Sequence, residues 1–430
     1  MALEINPLMA TGQLPPVTWL QAPETRAVVD ALTAEASEIR FVGGCVRDAL
    51  RHREASDIDI ATPDRPEKVM ELLQRAGIQA IPTGLKHGTV TAVVDGKRFE
   101  ITTLRIDLET DGRRARVGFT DDWLEDAKRR DFTFNALSAN LDGEVFDPFS
   151  GLWDLAHGQV RFIGSAHDRV AEDYLRVLRY FRFYGAIGRP PIDSEAIAAC
   201  RAYAKNLSEL SGERVRSELL KILCVPDPAE ILIKMKGAEV LNVVLPEAGD
   251  PGILRMVNWL ETRATNIPGI APDPIRHLSA LIHTTAPNVA QLADRLKLSN
   301  EEQNRLQQLC TPPVAVTPDM GDLAESKALR KYGIGLIQDL ALLRWGQEMY
   351  DNPRLSSERK SGWMQLLERT TRWTNPVFPL SGQDVLALGI APGPRVGTLL
   401  GEVENWWESG HYAANRQDCL NRLFDAARRL

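Results

Sequence analysis

The sequence is short of cysteine, of long apolar runs and of positive charge. Its five cysteines (Cys45, Cys200, Cys224, Cys310 and Cys419) are scattered, with no Cys-x-x-Cys spacing. That argues against a disulfide scaffold and a structural zinc site, and it favours reduced thiols in a cytoplasmic protein. No apolar run reaches the ~20 residues of a membrane span, so no membrane association is expected. The opening stretch MALEINPLMATGQLPPVTWL has neither a basic start nor a long apolar centre, so it does not read as a secretory signal. No internal repeat and no low-complexity tract occurs. Lys and Arg number 51 against 58 Asp and Glu, a net charge of −7, which taken alone discourages a nucleic-acid role. What remains is an ordinary composition, 44% hydrophobic and 25% charged, in 430 residues, too many for one core.

The average charge hides local contrast. Arg113, Arg114, Arg116, Lys128, Arg129 and Arg130 cluster, and Arg161, Arg169, Arg176, Arg179, Arg182 and Arg189 follow. Such runs usually form a solvated face, yet a basic groove on an acidic protein can hold a phosphate backbone. Up to about residue 162 the pattern is α/β, with strands expected at Ile39–Val42, Asp57–Ala61, Thr89–Val94, Arg98–Thr103 and Phe134–Asn140 and a helix at Pro66–Ala76. Asp95-Gly96 is a hairpin signal. Beyond residue 165 helical spacing dominates. Helices are expected over Asp168–Phe183, Asp193–Ala204, Gly212–Leu223, Pro228–Lys236, Val289–Lys297 and Gly335–Tyr350, with proline-rich joints between helical pieces.

The chemistry concentrates in FVGGCVRDALRHREASDIDIAT, Phe41 to Thr62. Residues i and i+2 of a strand face one side, so Asp57 and Asp59 are expected to project together while Ile58 and Ile60 face the core. Two such carboxylates repel, and a divalent cation relieves the repulsion. Hard oxygen ligands suit Mg²⁺, which takes one or two carboxylates plus substrate phosphates. Glu100, in the strand-like RFEITTLR, supplies a third acid where the pattern calls for none. Gly43-Gly44 closes the first strand, Gly44 lets backbone approach a triphosphate, the following helix start offers N–H donors, and Arg47 is placed to pair with phosphate. The alternative for Arg47-Asp48 is a plain ion pair in a first helical turn. On a helix, Asp173, Arg176 and Arg179 would share a face at three-residue steps; the bland alternative is a salt-bridge ladder. Arg182 lies one turn further, for phosphate or for solvent. His52, His87 and His157 are assigned no chemistry, and Cys45 reads as a small filler under the turn.

Together these motifs resemble the class II tRNA nucleotidyltransferases (CCA-adding enzymes) and the related bacterial poly(A) polymerases, whose head is similar to DNA polymerase beta. The resemblance rests on five motifs in order: GGCVRDALRHREASDID, RRDFTFNA, DPFSGLWDL, EDYLRVLRYFRF and LSGERVRSEL. The stretch FPLSGQDVLALGIAPGPRVG extends it into the C-terminal part. It implies an α+β nucleotidyltransferase head, a mixed sheet with helices, followed by all-α neck, body and tail. The expected bounds are an N-terminal extension over 1–25, head 26–165, neck 166–225, body 226–310 and tail 311–430. It implies Mg²⁺ on Asp57 and Asp59, with Glu100 as third catalytic carboxylate. Gly43, Gly44 and Arg47 would cradle the triphosphate, and Arg130, Asp131 and Asn135 would contact sugar and phosphates. The fourth motif, with Glu172, Asp173, Arg176 and Arg179, would select the base by Watson–Crick-like hydrogen bonds in place of a template.

The implied substrates are CTP, ATP and a tRNA 3′ end, and no stable protein partner is implied. Three products compete within the family: CCA, A alone, or poly(A). The segment TLRIDLETDGRRARVGFTDDWLEDAKRRDF between the first two motifs looks intact, which speaks against a CC-only enzyme. The acidic balance and a C-terminus without a basic extension favour CCA over poly(A). The His-Asp pairs of an appended phosphohydrolase domain are not evident; His167-Asp168 stands alone. Outside these readings lie an inactive RNA-binding relative, which the three acids argue against, and a small-molecule nucleotidyltransferase, which would need no long helical arm.

Overall fold

The computed structural model describes residues 9–55, 57–110, 115–282 and 286–429. Arg113 and Arg114 of the basic cluster lie outside them, as does the side chain of Arg116. The chain divides into two compact units, Met1–Pro246 and Glu247–Leu430.

The first unit is built on an eight-stranded mixed sheet. Its strands are β1 (Gly12–Gln13), β2 (Arg40–Val42), β3 (Ile58–Thr62), β4 (Gln79–Gly84), β5 (Thr89–Val94), β6 (Lys97–Thr103), β7 (Ser138–Ala139) and β8 (Glu144–Phe146), in the order β1-β8-β7-β2-β3-β6-β5-β4. Only β3 and β6 run parallel, with Ile58 opposite Phe99 and Ile60 opposite Ile101. Phe41, Ile60, Phe99 and Ile101 are fully buried between this sheet and its helices. A separate hairpin pairs Arg105–Thr110 with Ala115–Phe119.

Helix α1 (Gly44–Leu50) follows β2 directly, and α2 (Pro66–Arg75) follows β3. Proline in the first turn fits the start of α2, where its missing N–H has no partner to lose. Further along the chain, among other helices, lie α3 (Ala166–Glu172), α4 (Leu175–Ile187) and α5 (Gly212–Leu223). Phe132, Phe134 and Phe183 pack at ring distances of 5.3–5.5 Å, which fixes α4 against the sheet end.

Three sequence expectations are corrected here. Phe134–Asn140 is not one strand: a 3₁₀ turn occupies Thr133–Asn135, and pairing begins only at β7. Asp131 accepts hydrogen bonds from the Phe132 amide and the Asn135 side chain, both 2.9 Å, and this local bonding takes the segment out of the ladder. Asp168–Phe183 is not one helix. Asp173 is extended (φ −153°, ψ 107°) and splits it, its carboxylate accepting the Leu175 N–H at the start of α4. Asp57 is not on β3; it sits exposed in the bend just before it.

The second unit is helical. Its longest element, Asp322–Asp351, breaks at Gly333 (φ +82°), which separates two helical runs. A partly buried ionic network joins Arg276 to Glu261 (2.8 Å) and Arg305 to Asp339 (2.8 Å) and Asp273 (2.9 Å). A small apolar core around Val385, Val403, Trp407 and Leu423 closes the C-terminal helices.

Candidate nucleotide and metal site

Gly43 ends β2 with φ +70°, a conformation that side-chain-bearing residues avoid. A Cβ there would lie 3.4 Å from Arg130 Nη1 and 3.8 Å from Asp59 Oδ2. This glycine therefore lets the start of α1, the middle of β3 and Arg130 converge. On the other side of β3, Glu100 stands opposite Asp59 in parallel register, so both side chains leave one face of the sheet.

Burial and the neighbouring Glu100 charge push the Asp59 carboxyl up to about 6, against the pull of Arg130, and Asp57 adds to the rise. Among the described residues, no three His, Cys, Asp or Glu side chains converge tightly enough to form a metal cage. The three acids are electrostatic neighbours rather than a closed ligand set. Such an open pair of carboxylates is the donor set that Mg²⁺ completes with substrate phosphates and water.

Beside Asp59 opens a cavity of about 480 Å³, lined by Gly43, Gly44, Arg47, Asp59, Arg130, Asp131, Asn135, Asp173, Arg176, Arg179 and Arg182. These come from the first, second and fourth sequence motifs, which β2, the 3₁₀ turn and α4 bring to one place. Asp57, Glu100 and Glu172 are not among its lining residues. Glu172 instead holds Arg176 at 2.6 Å and Arg169 at 2.8 Å.

A chain of hydrogen bonds fixes one wall. Arg179 Nε donates to Asp131 Oδ2 at 2.6 Å, the Asn135 amide donates to Asp131 Oδ1, and Arg47 Nη1 donates to Asn135 Oδ1 at 2.9 Å. Arg47 also clasps Asp48 through two 2.9 Å bonds, so the ion-pair reading of Arg47-Asp48 and a place in the cavity both hold. Burial alone would raise the Asp131 pKa, but the charge and hydrogen bond of Arg179 outweigh it and hold the carboxyl at about 2.

The wall formed by Asp173, Arg176 and Arg182 is more constrained than the sequence suggested. Arg176 donates to the backbone carbonyls of Arg129 and Arg169, each at 2.8 Å, besides its bond to Glu172. Asp173, at the break between α3 and α4, accepts from Arg214 at 2.8 and 3.0 Å. Arg182 contacts buried Glu218 at 3.1 Å and stacks over the Phe183 ring; burial lowers its pKa to about 10 although Glu218 opposes the shift.

Sequence reasoning assigned no role to Arg214 or Glu218, or to Arg105, Arg129 and Phe183, which also line the cavity. The available signal was the fifth motif, where Arg214 and Glu218 stand four apart on α5 and so share a face. Cys45 is buried and bonds the Val42 carbonyl, and burial pushes its thiol up to about 12, in keeping with a packing role.

Two family models match the chain: the Poly A polymerase head domain over residues 39–161, and a probable RNA and SrmB binding site of polymerase A over residues 191–250. The CCA tRNA nucleotidyltransferase 1, mitochondrial, of Mus musculus is 36% identical over 421 residues, covering 94% of this chain and 92% of its own length. The CCA-adding enzyme of Leuconostoc citreum is 30% identical, covering 89% of this chain and 91% of its own. Among solved structures, the Bacillus stearothermophilus CCA-adding enzyme in complex with CTP aligns with a TM-score of 0.71 at 25% identity, covering 96% of this chain and 98% of that one.

Proposed function

The chain belongs to the CCA tRNA nucleotidyltransferase family, and from that premise we propose that it adds C, C and A to the 3′ end of tRNA, using CTP and then ATP without a nucleic-acid template. The observation that carries this reading is the placement of Asp59, beside Glu100, in the same cavity as Asp173, Arg176 and Arg179. One end of that cavity offers the Asp59 carboxylate, backed by Glu100, for transfer chemistry, and the other offers an acid and two guanidiniums for reading a base edge.

Family members are generally dependent on a divalent metal. The hard oxygen donors of Asp57 and Asp59, and the raised Asp59 pKa, fit Mg²⁺. When bound, the metal activates the tRNA 3′-hydroxyl and neutralises charge on the triphosphate. The protein's own part is placement. Gly43 and Gly44 let the phosphates approach the backbone, and Arg47, Arg130 and Arg182 supply positive charge along them. Asp131 and Asn135 meet the sugar side, with Arg179 holding Asp131 ionised. Asp173 accepts from an exocyclic amino group and Arg176 donates to a ring acceptor, so C and A are taken and bases lacking that pattern are refused. Glu172 positions Arg176.

We assign residues 26–165 to the head, 166–225 to the neck, 226–310 to the body and 311–430 to the tail, preceded by the segment 1–25. The body and tail would hold tRNA through shape and phosphate contacts. Free thiols at all five cysteines are in keeping with action in a reducing compartment, for which we propose the cytoplasm.

The test is to sequence the 3′ ends made from tRNA lacking its terminal CCA, with CTP alone, ATP alone and both. Two Cs from CTP alone and CCA from the mixture are expected. A long A tail would replace this reading with polyadenylation, and activity confined to ends already carrying CC would replace it with A addition.

A further inference from the structure

A second cavity of about 420 Å³ borders the nucleotide site and shares Arg47, Arg182 and Phe183 with it. Arg47 and Arg51 lie one turn apart along α1, and Arg182 and Ala186 one turn apart along α4. Arg51 Nη2 donates to the Ala186 carbonyl at 3.1 Å, closing the wall between the two helices. Further out, Arg53 and Lys221 are exposed and neither has an ion pair among the described residues. The walls therefore carry five cations; Asp48 already serves Arg47 and Glu218 serves Arg182, which leaves Arg51, Arg53 and Lys221 with Glu54 as the only further carboxylate of the lining.

Packing like charges this closely is unfavourable unless an anion lies among them. Burial lowers the pKa of Arg51, and the charges of Arg53 and Arg47 lower it further. Exposure grades outward, from the half-buried Arg47 and Arg182 to the open Arg53 and Lys221. The rest of the lining, Phe183, Ala186, Ile187, Cys224, Val225 and Pro226, is largely apolar, so the cations set the chemistry of what the cavity attracts. The ligand that such a lining suits is a phosphate anion.

The reaction supplies one free phosphate anion. In the transfer step that this inference takes over from the proposed function, the tRNA 3′-hydroxyl gives up its proton to solvent and its oxygen forms a bond to the α-phosphorus. The bond from that phosphorus to the bridging oxygen breaks, and pyrophosphate leaves with the electron pair. Attacking and leaving oxygens lie roughly in line across the phosphorus. Asp59 lines only the first cavity, whereas Arg47 lines both, so the second cavity opens from the phosphate end and away from the attack. We infer that this cationic cavity is the exit path for pyrophosphate, with Arg51, Arg53 and Lys221 drawing the anion outward from Arg47.

The test uses the full-length protein carrying Arg53→Gln and Lys221→Gln together. Pyrophosphate binding is measured by equilibrium dialysis at fixed ionic strength without CTP or tRNA, alongside product inhibition of CMP addition. Pyrophosphate affinity should fall roughly fivefold, the size of losing exposed ion-pair contacts, with CTP affinity within about twofold of wild type. The charge-conserving pair Arg53→Lys and Lys221→Arg should restore wild-type binding and show that folding is intact. Unchanged pyrophosphate affinity, an equal loss for CTP, or a loss confined to tRNA binding would each overturn the exit role; the last would make this an RNA phosphate site. Wild-type protein that fails to extend tRNA would overturn the transfer reading and this inference together, a result distinct from a change in pyrophosphate binding.

Discussion

Asp59 and Glu100 stand side by side on two parallel strands, joined in register through Ile58–Phe99 and Ile60–Ile101. Their proximity makes the nucleotide-free protein sensitive to pH. The Asp59 carboxyl is raised from 3.8 to about 6, so its favourable protonated state is retained at low pH and lost as pH rises through about 6. Thermal stability of the metal-free protein should therefore drop across that interval, and Mg²⁺ should restore it above pH 6. Asp59→Asn should remove about 1–2 kcal/mol of that dependence, less than the full shift because the site is open to solvent. Melting curves between pH 4 and about 8, with and without Mg²⁺, check this; identical slopes in wild type and variant would refute it.

Asp131 has the opposite sign. Held at about 2 by Arg179, against an ordinary 3.8, it adds stability that is present above 3.8 and is lost as pH falls through about 2. At neutral pH, Asp131→Asn takes from the buried side of the Arg179 guanidinium its closest anion, leaving Glu218 at 3.8 Å. We expect a loss of about 3 kcal/mol in denaturant unfolding and weaker CTP binding. A loss below about 0.5 kcal/mol would mean that the pair is not coupled to the fold.

Gly43→Ala forces a side chain into a positive-φ backbone and places its Cβ 3.4 Å from Arg130. The strain is of order 1–3 kcal/mol. The fold should survive, judged by circular dichroism, while kcat for CMP addition falls at least about tenfold. Wild-type kcat in the folded variant would remove Gly43 from the triphosphate wall.

Arg214 is the partner that sequence reading missed. Its guanidinium holds both oxygens of Asp173. Arg214→Ala should free that carboxylate and lower the preference for CTP over UTP about tenfold, with a smaller change in overall rate. Competition between the two nucleotides measures the ratio directly. An unchanged ratio accompanied by lower stability would reduce Arg214 to a structural contact.

How much of this was legible in the sequence depends on whether a local pattern or a distant partner decided the outcome. Gly212–Leu223 forms the helix that its periodicity indicates, and Thr89–Val94 the strand that its β-branched composition indicates, because local residue type and spacing suffice for each. Phe134–Asn140 and Asp168–Phe183 do not, because Asp131, Asn135 and Asp173 take up local hydrogen bonds that compete with strand and helix. The hairpin Arg105–Thr110 with Ala115–Phe119 escaped notice because its charged residues obscure the strand signal. Motifs bring eleven of the fourteen expected site residues into one cavity. The rest of the wall was out of reach, since Arg214 meets Asp173 across 41 residues and no spacing rule anticipates that contact.

The most direct test of the account is the single-turnover rate of CMP addition by Asp59→Asn, measured together with its CTP affinity. Asp59→Asn keeps the shape of the side chain and removes the negative charge beside Glu100. The account predicts a rate at least about 10³-fold below wild type with CTP affinity changed less than about threefold. A rate within about tenfold of wild type would contradict it.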